Sequence, residues 1–336
     1  MVASIETRAP ASRPPSWAQQ LRDAVRDPTE LADLLDLPAA ARTRIDRLPG
    51  TFPLLAPRSF VARMRKGDPD DPLLRQVLPL SVETEPVPGF TADPLGEQAI
   101  AAAGYLQKYR GRALLIASAA CPVHCRYCFR RTFPYSAQLA ARADFSGAIE
   151  ALRASRVAEV ILSGGDPLSL SNRRLANLLD RLESVATLRT VRIHTRFPVM
   201  LPDRVDRELA ALLERTRLKT VVVVHTNHPN ELGDDVAAAL ETLRRSARFV
   251  LNQSVLLHGV NDSADVLAEL SERLFACNVL PYYLHLLDAV AGAAHFAVDA
   301  EVGTRLVAEL RARLPGYLVP RLVREIPGKL SKTPIR

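Results

Sequence analysis

The sequence has 336 residues, which is enough for one large domain or two small ones. Hydrophobic residues make up 48% and charged residues 24%, so the composition excludes a collagen-like or disulfide-dense chain and indicates a globular protein. The net charge is +7, and arginine dominates it, with 39 arginines against five lysines.

These properties also limit location and partners. The longest apolar stretches fall well short of the roughly 20 residues that a membrane helix needs, and the N-terminus lacks the apolar core of a signal peptide. We therefore expect a cytoplasmic protein with no membrane partner. The arginines are scattered among acidic residues along amphipathic segments, without a block of five like charges, so we predict that nucleic acid is not a partner.

The first hundred residues differ in pattern from the rest. They are rich in proline and contain two short helical patches, at residues 17–25 and 29–35. We predict a helical and irregular cap and arm for residues 1–100, a barrel domain for residues 101–300, and a separate C-terminal segment for residues 301–336.

From about residue 112, apolar β-branched runs alternate with segments of helical periodicity. The predicted strands are residues 113–118, 158–163, 190–195, 220–226, 248–257 and 279–286. The predicted helices are residues 145–154, 172–182, 205–215, 234–246 and 263–275. This alternation predicts an α/β fold with a parallel sheet and helices outside it. Six units favour an incomplete (β/α)6 barrel with a helical N-terminal extension.

Residues with useful chemistry fall in or just after the predicted strands. Active sites of barrel enzymes lie at the carboxyl ends of the strands, so we expect these side chains to share one site. In chain order they are Cys121, the turn Gly164, Gly165 and Asp166, then Arg196, His225, Gln253 and Asp288.

Three of the four cysteines form one motif. Cys121, Cys125 and Cys128 have the spacing C-x3-C-x2-C. Three thiolates on one loop can ligate three irons of a [4Fe–4S] cluster and leave the fourth iron open to a reacting ligand. The alternatives are a zinc site completed by His124, since structural zinc has four ligands, and a disulfide, which is rare in chains without a secretion signal.

Residues 121–128 resemble the signature of radical S-adenosylmethionine (radical SAM) enzymes, in which an aromatic residue, here Tyr127, precedes the third cysteine. Residues 163–166 resemble the segment of that superfamily that holds the methionyl amine of SAM. Taken alone, they favour a plain glycine turn that ends a strand, but together with the cysteine loop they favour the SAM-binding segment. The resemblance implies a radical SAM barrel with a [4Fe–4S] cluster and SAM. It places Gly164, Gly165 and Asp166 near the amine of SAM, and His225 and Gln253 near its other polar groups.

Lys332 is conspicuous in a chain that otherwise uses arginine. Unlike a guanidinium, its amine can deprotonate and form a Schiff base. The chain resembles the lysine 2,3-aminomutases, which combine radical SAM chemistry with pyridoxal phosphate. The resemblance rests on this lysine and on residues 109–112, 121–131, 225–231, 252–255, 281–283, 288, 292–296 and 331–334. Residues 282–288 and 324–326 are similar to the short branch of that family, which supplies (R)-β-lysine for elongation factor P. Ser263 stands where the long branch has a zinc-binding cysteine, so we do not expect its zinc site.

The resemblance also implies roles for individual residues. Lys332 would carry pyridoxal phosphate, with Lys329 as the rival, and Tyr109 and Arg112 would lie near the phosphate. Arg130 would pair with the substrate carboxylate, since a guanidinium suits bidentate binding. The distal ammonium of the substrate would be held by Asp288 and Glu325. Glu325 is one methylene longer than the aspartate of the long branch.

The implied protein is an isomerase that converts L-lysine to (R)-β-lysine by a 2,3-amino migration assisted by pyridoxal phosphate. Its partners would be L-lysine, a reducing electron donor and, through the product, elongation factor P and its β-lysine ligase. Three alternatives remain open. They are an aminomutase for another amino acid, a radical SAM enzyme without pyridoxal phosphate, and a cluster-bearing binding module of the translation machinery.

Overall fold

The computed structural model describes residues 15–45, 52–100, 104–135, 139–140 and 144–336. Within these ranges, nine strands form one sheet in chain order. The strands are β1 (Tyr105–Tyr109), β2 (Arg112–Ser118), β3 (Glu159–Gly164), β4 (Thr190–Thr195), β5 (Lys219–His225), β6 (Phe249–Leu256), β7 (Leu280–Leu286), β8 (Arg321–Arg324) and β9 (Thr333–Pro334). Strands β2 to β8 are parallel, whereas β1 and β9 pair antiparallel at the two ends.

The predicted incomplete barrel is confirmed, and its six predicted strands correspond to β2–β7. The sheet runs from β1 to β9 without pairing its first strand to its last, so the barrel is not closed. Three strands at the two ends of the sheet were not predicted. Strand β1 is a polar five-residue run, and β8 and β9 have four and two residues, which is too short for an alternating pattern.

Helices cover the outer face of the sheet. The longer ones are α7 (Ser146–Ser155), α8 (Asn172–Glu183), α10 (Arg207–Arg215), α11 (Asp234–Ser246), α12 (Ala264–Ala276) and α13 (Ala300–Arg313), and α9 (Phe197–Met200) is a single turn. Helix α8 shows why they form. The hydroxyl of Ser171 caps its first turn, and leucines at helical spacing, Leu175, Leu178, Leu179 and Leu182, are all buried. Helix α13 was missed by the sequence analysis.

The strands present two different faces. In β4, Val191 and Ile193 are fully buried, whereas Arg192 and His194, which alternate with them, line the barrel interior. In β7, Tyr283 and His285 alternate in the same way. The interior of the barrel is therefore a cavity lined by polar and charged side chains together with apolar ones, and the main apolar core lies between the sheet and its helices.

The N-terminal part contains α1 (Trp17–Arg22), α2 (Pro28–Leu34), α3 (Ala39–Arg42), α4 (Arg58–Val61), α5 (Pro72–Arg75) and α6 (Glu97–Ile100). Its backbone supports the cysteine loop from outside: the N–H of His124 donates to the carbonyl of Leu55, and that of Arg126 donates to the carbonyl of Gln76, both at 2.9 Å. Among the described residues, no helix is long and apolar enough to span a membrane.

Candidate active site

One cavity of about 280 Å³ occupies the interior of the open barrel. All fifteen residues predicted for the site line it: Tyr109, Arg112, Cys121, Cys125, Cys128, Arg130, Gly164, Gly165, Asp166, Arg196, His225, Gln253, Asp288, Glu325 and Lys332. Tyr109 and Arg112 flank the β1–β2 turn at the start of a strand, so the cavity also draws on residues away from the carboxyl ends.

The cysteine loop follows β2 and forms one wall of the cavity. Cys125 is buried, and Cys121 and Cys128 are partly exposed. Burial and the neighbouring thiols raise the pKa of Cys121, and the same two effects raise the pKa of Cys128 to about 11. Three thiolates at this wall therefore need a cationic partner. No three His, Cys, Asp or Glu side chains of the described ranges converge as ligands of one metal ion; thiolates that each bind a different iron need not converge in this way.

The Gly-Gly-Asp turn after β3 packs directly on the chain that leads into the cysteine loop. The N–H groups of Gly165 and Asp166 donate to the carbonyl oxygens of Ser118 and Ala120 at 2.7 and 2.8 Å. A Cβ atom on Gly165 would lie 2.5 Å from the Ala120 carbonyl oxygen, and Gly164 has a φ of +113°. Both positions require glycine, and the turn fixes the start of the cysteine loop.

Asp166 joins this turn to the end of β4. Its carboxylate accepts hydrogen bonds from the N–H of Leu168 at 3.0 Å, the hydroxyl of Thr195 at 2.9 Å and the N–H of Arg196 at 2.7 Å. Burial raises the pKa of Asp166 to about 6, although these hydrogen bonds act in the opposite direction. The carboxylate thus holds two strand ends together at the cavity wall.

Arg130 is buried and bound on one side by Glu97, a residue that the sequence analysis did not identify. Its Nε and one terminal nitrogen donate to the two oxygens of Glu97 at 2.6 and 3.0 Å. The other terminal nitrogen donates to the hydroxyl of Ser163 at 3.1 Å. The paired Glu97 carboxylate raises the pKa of Arg130, against the effect of burial. Arg130 is therefore a fixed cation in the cavity wall.

Lys332 lies between β8 and β9, next to Glu325. Its Nζ donates to one oxygen of Glu325 at 2.6 Å, and the hydroxyl of Tyr109 donates to the other oxygen. Burial and this hydrogen bond raise the pKa of Tyr109. Because Tyr109 ends β1 and Glu325 follows β8, these contacts bridge the two edges of the open barrel. The Nζ atom also lies 5.8 Å from the ring centre of Tyr283.

Three histidines, on strands β4, β5 and β7, face the interior. Burial lowers the pKa of His225 to about 3, and it lowers the pKa of His194 and His285 well below the usual value. They are therefore neutral at physiological pH. The buried Nε2 atoms of His194 and His285 have no hydrogen-bond partner within the described part of the chain. Such atoms are available to a molecule bound in the cavity.

Sequence reasoning missed several cavity residues. Arg192, His194, Tyr283 and His285 could have been found, because polar residues at every second position of a barrel strand face its interior. Glu97 had no such signal, since it lies in a proline-rich segment whose pattern gives no facing direction.

The fold and the cysteine loop define the class of protein. The model of the radical SAM superfamily matches residues 115–270, which contain the cysteine loop and strands β3–β6. L-lysine 2,3-aminomutase of Escherichia coli (strain K12) is 46% identical, and the match covers 95% of this chain and 94% of that protein. Its counterpart in Haemophilus influenzae is 43% identical, with 95% of both chains covered. L-lysine 2,3-aminomutase of Clostridium subterminale is 30% identical over 95% of this chain and 77% of that protein.

The chain belongs to the lysine 2,3-aminomutase family, whose members are isomerases of the radical SAM superfamily. This membership implies a [4Fe–4S] cluster, SAM and pyridoxal phosphate. The cavity fits these groups. Three thiols share one loop, Lys332 presents a primary amine beside an aromatic ring, and the partnerless imidazole nitrogens suit a polar ligand.

Proposed function

We propose that the protein converts L-lysine to (R)-β-lysine by moving the amino group from C2 to C3 and one hydrogen atom from C3 to C2. The observation that carries this proposal is the single cavity that contains the three cysteines, Lys332 and cationic and anionic groups suited to an amino acid. Substrate and product are isomers, so the net reaction consumes no redox equivalent.

Cys121, Cys125 and Cys128 would hold the cluster. Gly164, Gly165, Asp166, His225 and Gln253 would hold SAM at the same wall. When bound, the cluster and SAM supply a carbon radical, and pyridoxal phosphate supplies a conjugated ring for the migrating nitrogen. The neutral state of His225 suits this wall, because a neutral imidazole offers hydrogen bonds without adding charge next to a sulfonium.

Lys332 would hold pyridoxal phosphate, and Tyr109 and Arg112 would bind its phosphate. Arg112 lies over the Tyr109 ring at 4.4 Å, so the two residues offer a cation and a hydroxyl from one short hairpin. Lys329, the rival lysine, is exposed and does not line the cavity. This difference supports the choice of Lys332.

Arg130 would bind the substrate carboxylate, and Asp288 with Glu325 would bind the distal ammonium. Support for Glu325 comes from its contact with Lys332, since its carboxylate already accepts a hydrogen bond from a lysine ammonium at 2.6 Å. The carboxylate therefore has the reach and the charge for the same group of a substrate. Asp288 and Glu325 would also disfavour substrates with an acidic side chain through charge repulsion.

The test is anaerobic incubation of the protein, carrying its cluster and pyridoxal phosphate, with L-lysine, SAM and dithionite. We expect (R)-β-lysine by chiral chromatography, and no product when SAM is omitted. Formation of 5′-deoxyadenosine without β-lysine would show that the cluster is active but the substrate is a different one. A product that forms equally well without pyridoxal phosphate would contradict the role of Lys332.

We further propose that the product supplies β-lysylation of elongation factor P by its β-lysine ligase. The support is the similarity of residues 282–288 and 324–326 to the short branch, which supplies β-lysine for elongation factor P. Three neighbouring thiols and the need for an external electron donor fit a reducing, cytoplasmic location. Reconstitution with elongation factor P, the ligase and L-lysine tests the link by the mass added to elongation factor P.

A further inference from the structure

We propose that Arg196 sets the reduction potential of the cluster through its contact with Cys125, and that Glu231 opposes it. Arg196 follows β4 and lines the cavity. One terminal nitrogen of its guanidinium donates to Sγ of Cys125 at 2.9 Å. The inference rests on the proposed function to the extent that Cys125 is taken as a cluster ligand.

The contact belongs to a buried network drawn from four parts of the chain. Arg196 also donates to the carboxylate of Glu231 at 2.8 Å. A further hydrogen bond runs from Arg196 to the hydroxyl of Tyr127. Asn227 donates to the Tyr127 hydroxyl at 2.7 Å and to the side-chain oxygen of Gln76 at 3.0 Å. The guanidinium of Arg196 is held in one orientation, because the hydrogen bonds around it come from Gln76, from the cysteine loop and from the ends of β4 and β5.

A fixed cation beside a cluster sulfur has a definite electrostatic effect. Reduction adds one electron to the cluster, so the reduced state carries one more negative charge. A guanidinium and its N–H···S hydrogen bond stabilise that charge, which raises the reduction potential. Arg196 is 8% exposed, so water screens this interaction weakly.

Glu231 has the opposite sign. It is fully buried, and its carboxylate also accepts hydrogen bonds from the N–H groups of Asn227 and His228 at 2.9 and 3.0 Å. Its negative charge offsets part of the charge of Arg196 at the cluster. Neutralising Arg196 should therefore lower the reduction potential, and neutralising Glu231 should raise it. General destabilisation of the fold would not produce shifts of opposite sign.

The test is an anaerobic redox titration of the reconstituted protein without SAM, with the reduced cluster measured by electron paramagnetic resonance. For Arg196→Gln we expect the ratio of reduced to oxidised cluster at a fixed potential to fall about tenfold, which equals 59 mV for a one-electron couple. For Glu231→Gln we expect a rise. Arg204→Lys is the control, because Arg204 is fully buried but donates to the carbonyls of Leu168 and Leu170 rather than to a cysteine.

Iron and sulfide content is measured first. If Arg196→Gln does not retain the cluster, Glu231→Gln decides the sign, and Arg196→Lys, which keeps the positive charge, should stay closer to the wild-type potential. Unchanged potentials in variants that carry four irons would overturn the role of Arg196 and leave the cluster assignment intact. A wild-type protein that binds no cluster after reconstitution would instead overturn the proposed function.

Discussion

The carboxylate of Glu97 binds the guanidinium of Arg130 through two hydrogen bonds of 2.6 and 3.0 Å, and both side chains are buried. Glu97 occupies the edge of the guanidinium formed by Nε and one terminal nitrogen. The orientation of the remaining donors is thereby fixed before a substrate carboxylate arrives.

Loss of this contact should weaken lysine binding. We expect Glu97→Gln to raise the KM for L-lysine about tenfold and to change kcat less, since a hydrogen bond to a charged group contributes about 1.5–3 kcal/mol. Glu150→Gln is a suitable control, because Glu150 pairs with Arg153 on the surface. A lower KM in Glu97→Gln would show that Glu97 competes with the substrate for Arg130.

Replacement of Lys332 should abolish retention of pyridoxal phosphate. We expect Lys332→Ala to lose the cofactor on gel filtration and to reduce β-lysine formation to background. Borohydride treatment of the wild type followed by peptide mass spectrometry should find the pyridoxyl group on Lys332. Lys329→Ala, an exposed neighbour, serves as the control, and a labelled Lys329 would reverse the assignment.

Recognition of the distal ammonium should depend on Glu325. For Glu325→Gln we expect the KM for L-lysine to rise about tenfold or more, because a charge-assisted hydrogen bond is lost. Glu325→Asp should keep most of the affinity, since the charge remains. Equal KM values for Glu325→Gln and the wild type would assign the ammonium to Asp288 without Glu325.

The Gly-Gly-Asp turn should be intolerant of a side chain. In Gly165→Ala the new Cβ would lie 2.5 Å from the Ala120 carbonyl oxygen, so the backbone before Cys121 must move. We expect a stability loss of about 1–3 kcal/mol and a lower iron content after reconstitution. Gly316→Ala is the matched control, because no atom lies within 4 Å of its Cβ position. Equal iron content in the two variants would contradict a positioning role for the turn.

The buried neutral state of His225 predicts a pH dependence of stability. Its pKa in the folded protein is about 3, whereas an unfolded chain protonates histidine near 6.5. As the pH falls below 6.5, the unfolded state takes up a proton that the folded state does not, so His225 makes stability fall by up to about 1.4 kcal/mol per pH unit. Urea unfolding of the protein without cofactors between pH 8 and pH 4.5 should give a shallower loss for His225→Gln, and parallel curves would refute this.

Much of this architecture could be predicted from sequence, for reasons that differ between elements. Strands β2–β7 are long apolar runs with regular spacing, and the cysteine spacing carries its own chemistry. Glu97 and Arg196 could not be assigned partners, because their roles depend on contacts between segments far apart in the chain. Strands β8 and β9 are too short to show a pattern, yet they place Glu325 and Lys332.

The bridge formed by Tyr109, Glu325 and Lys332 has a mechanical consequence. A barrel closed by strand pairing has a fixed circumference. In this barrel the two ends of the sheet are joined by side-chain hydrogen bonds instead of a backbone ladder. The circumference can widen at this junction without breaking a strand pair. The residues proposed to hold pyridoxal phosphate and the substrate ammonium are the ones that form this junction. We therefore expect binding of these ligands and the width of the barrel to depend on each other.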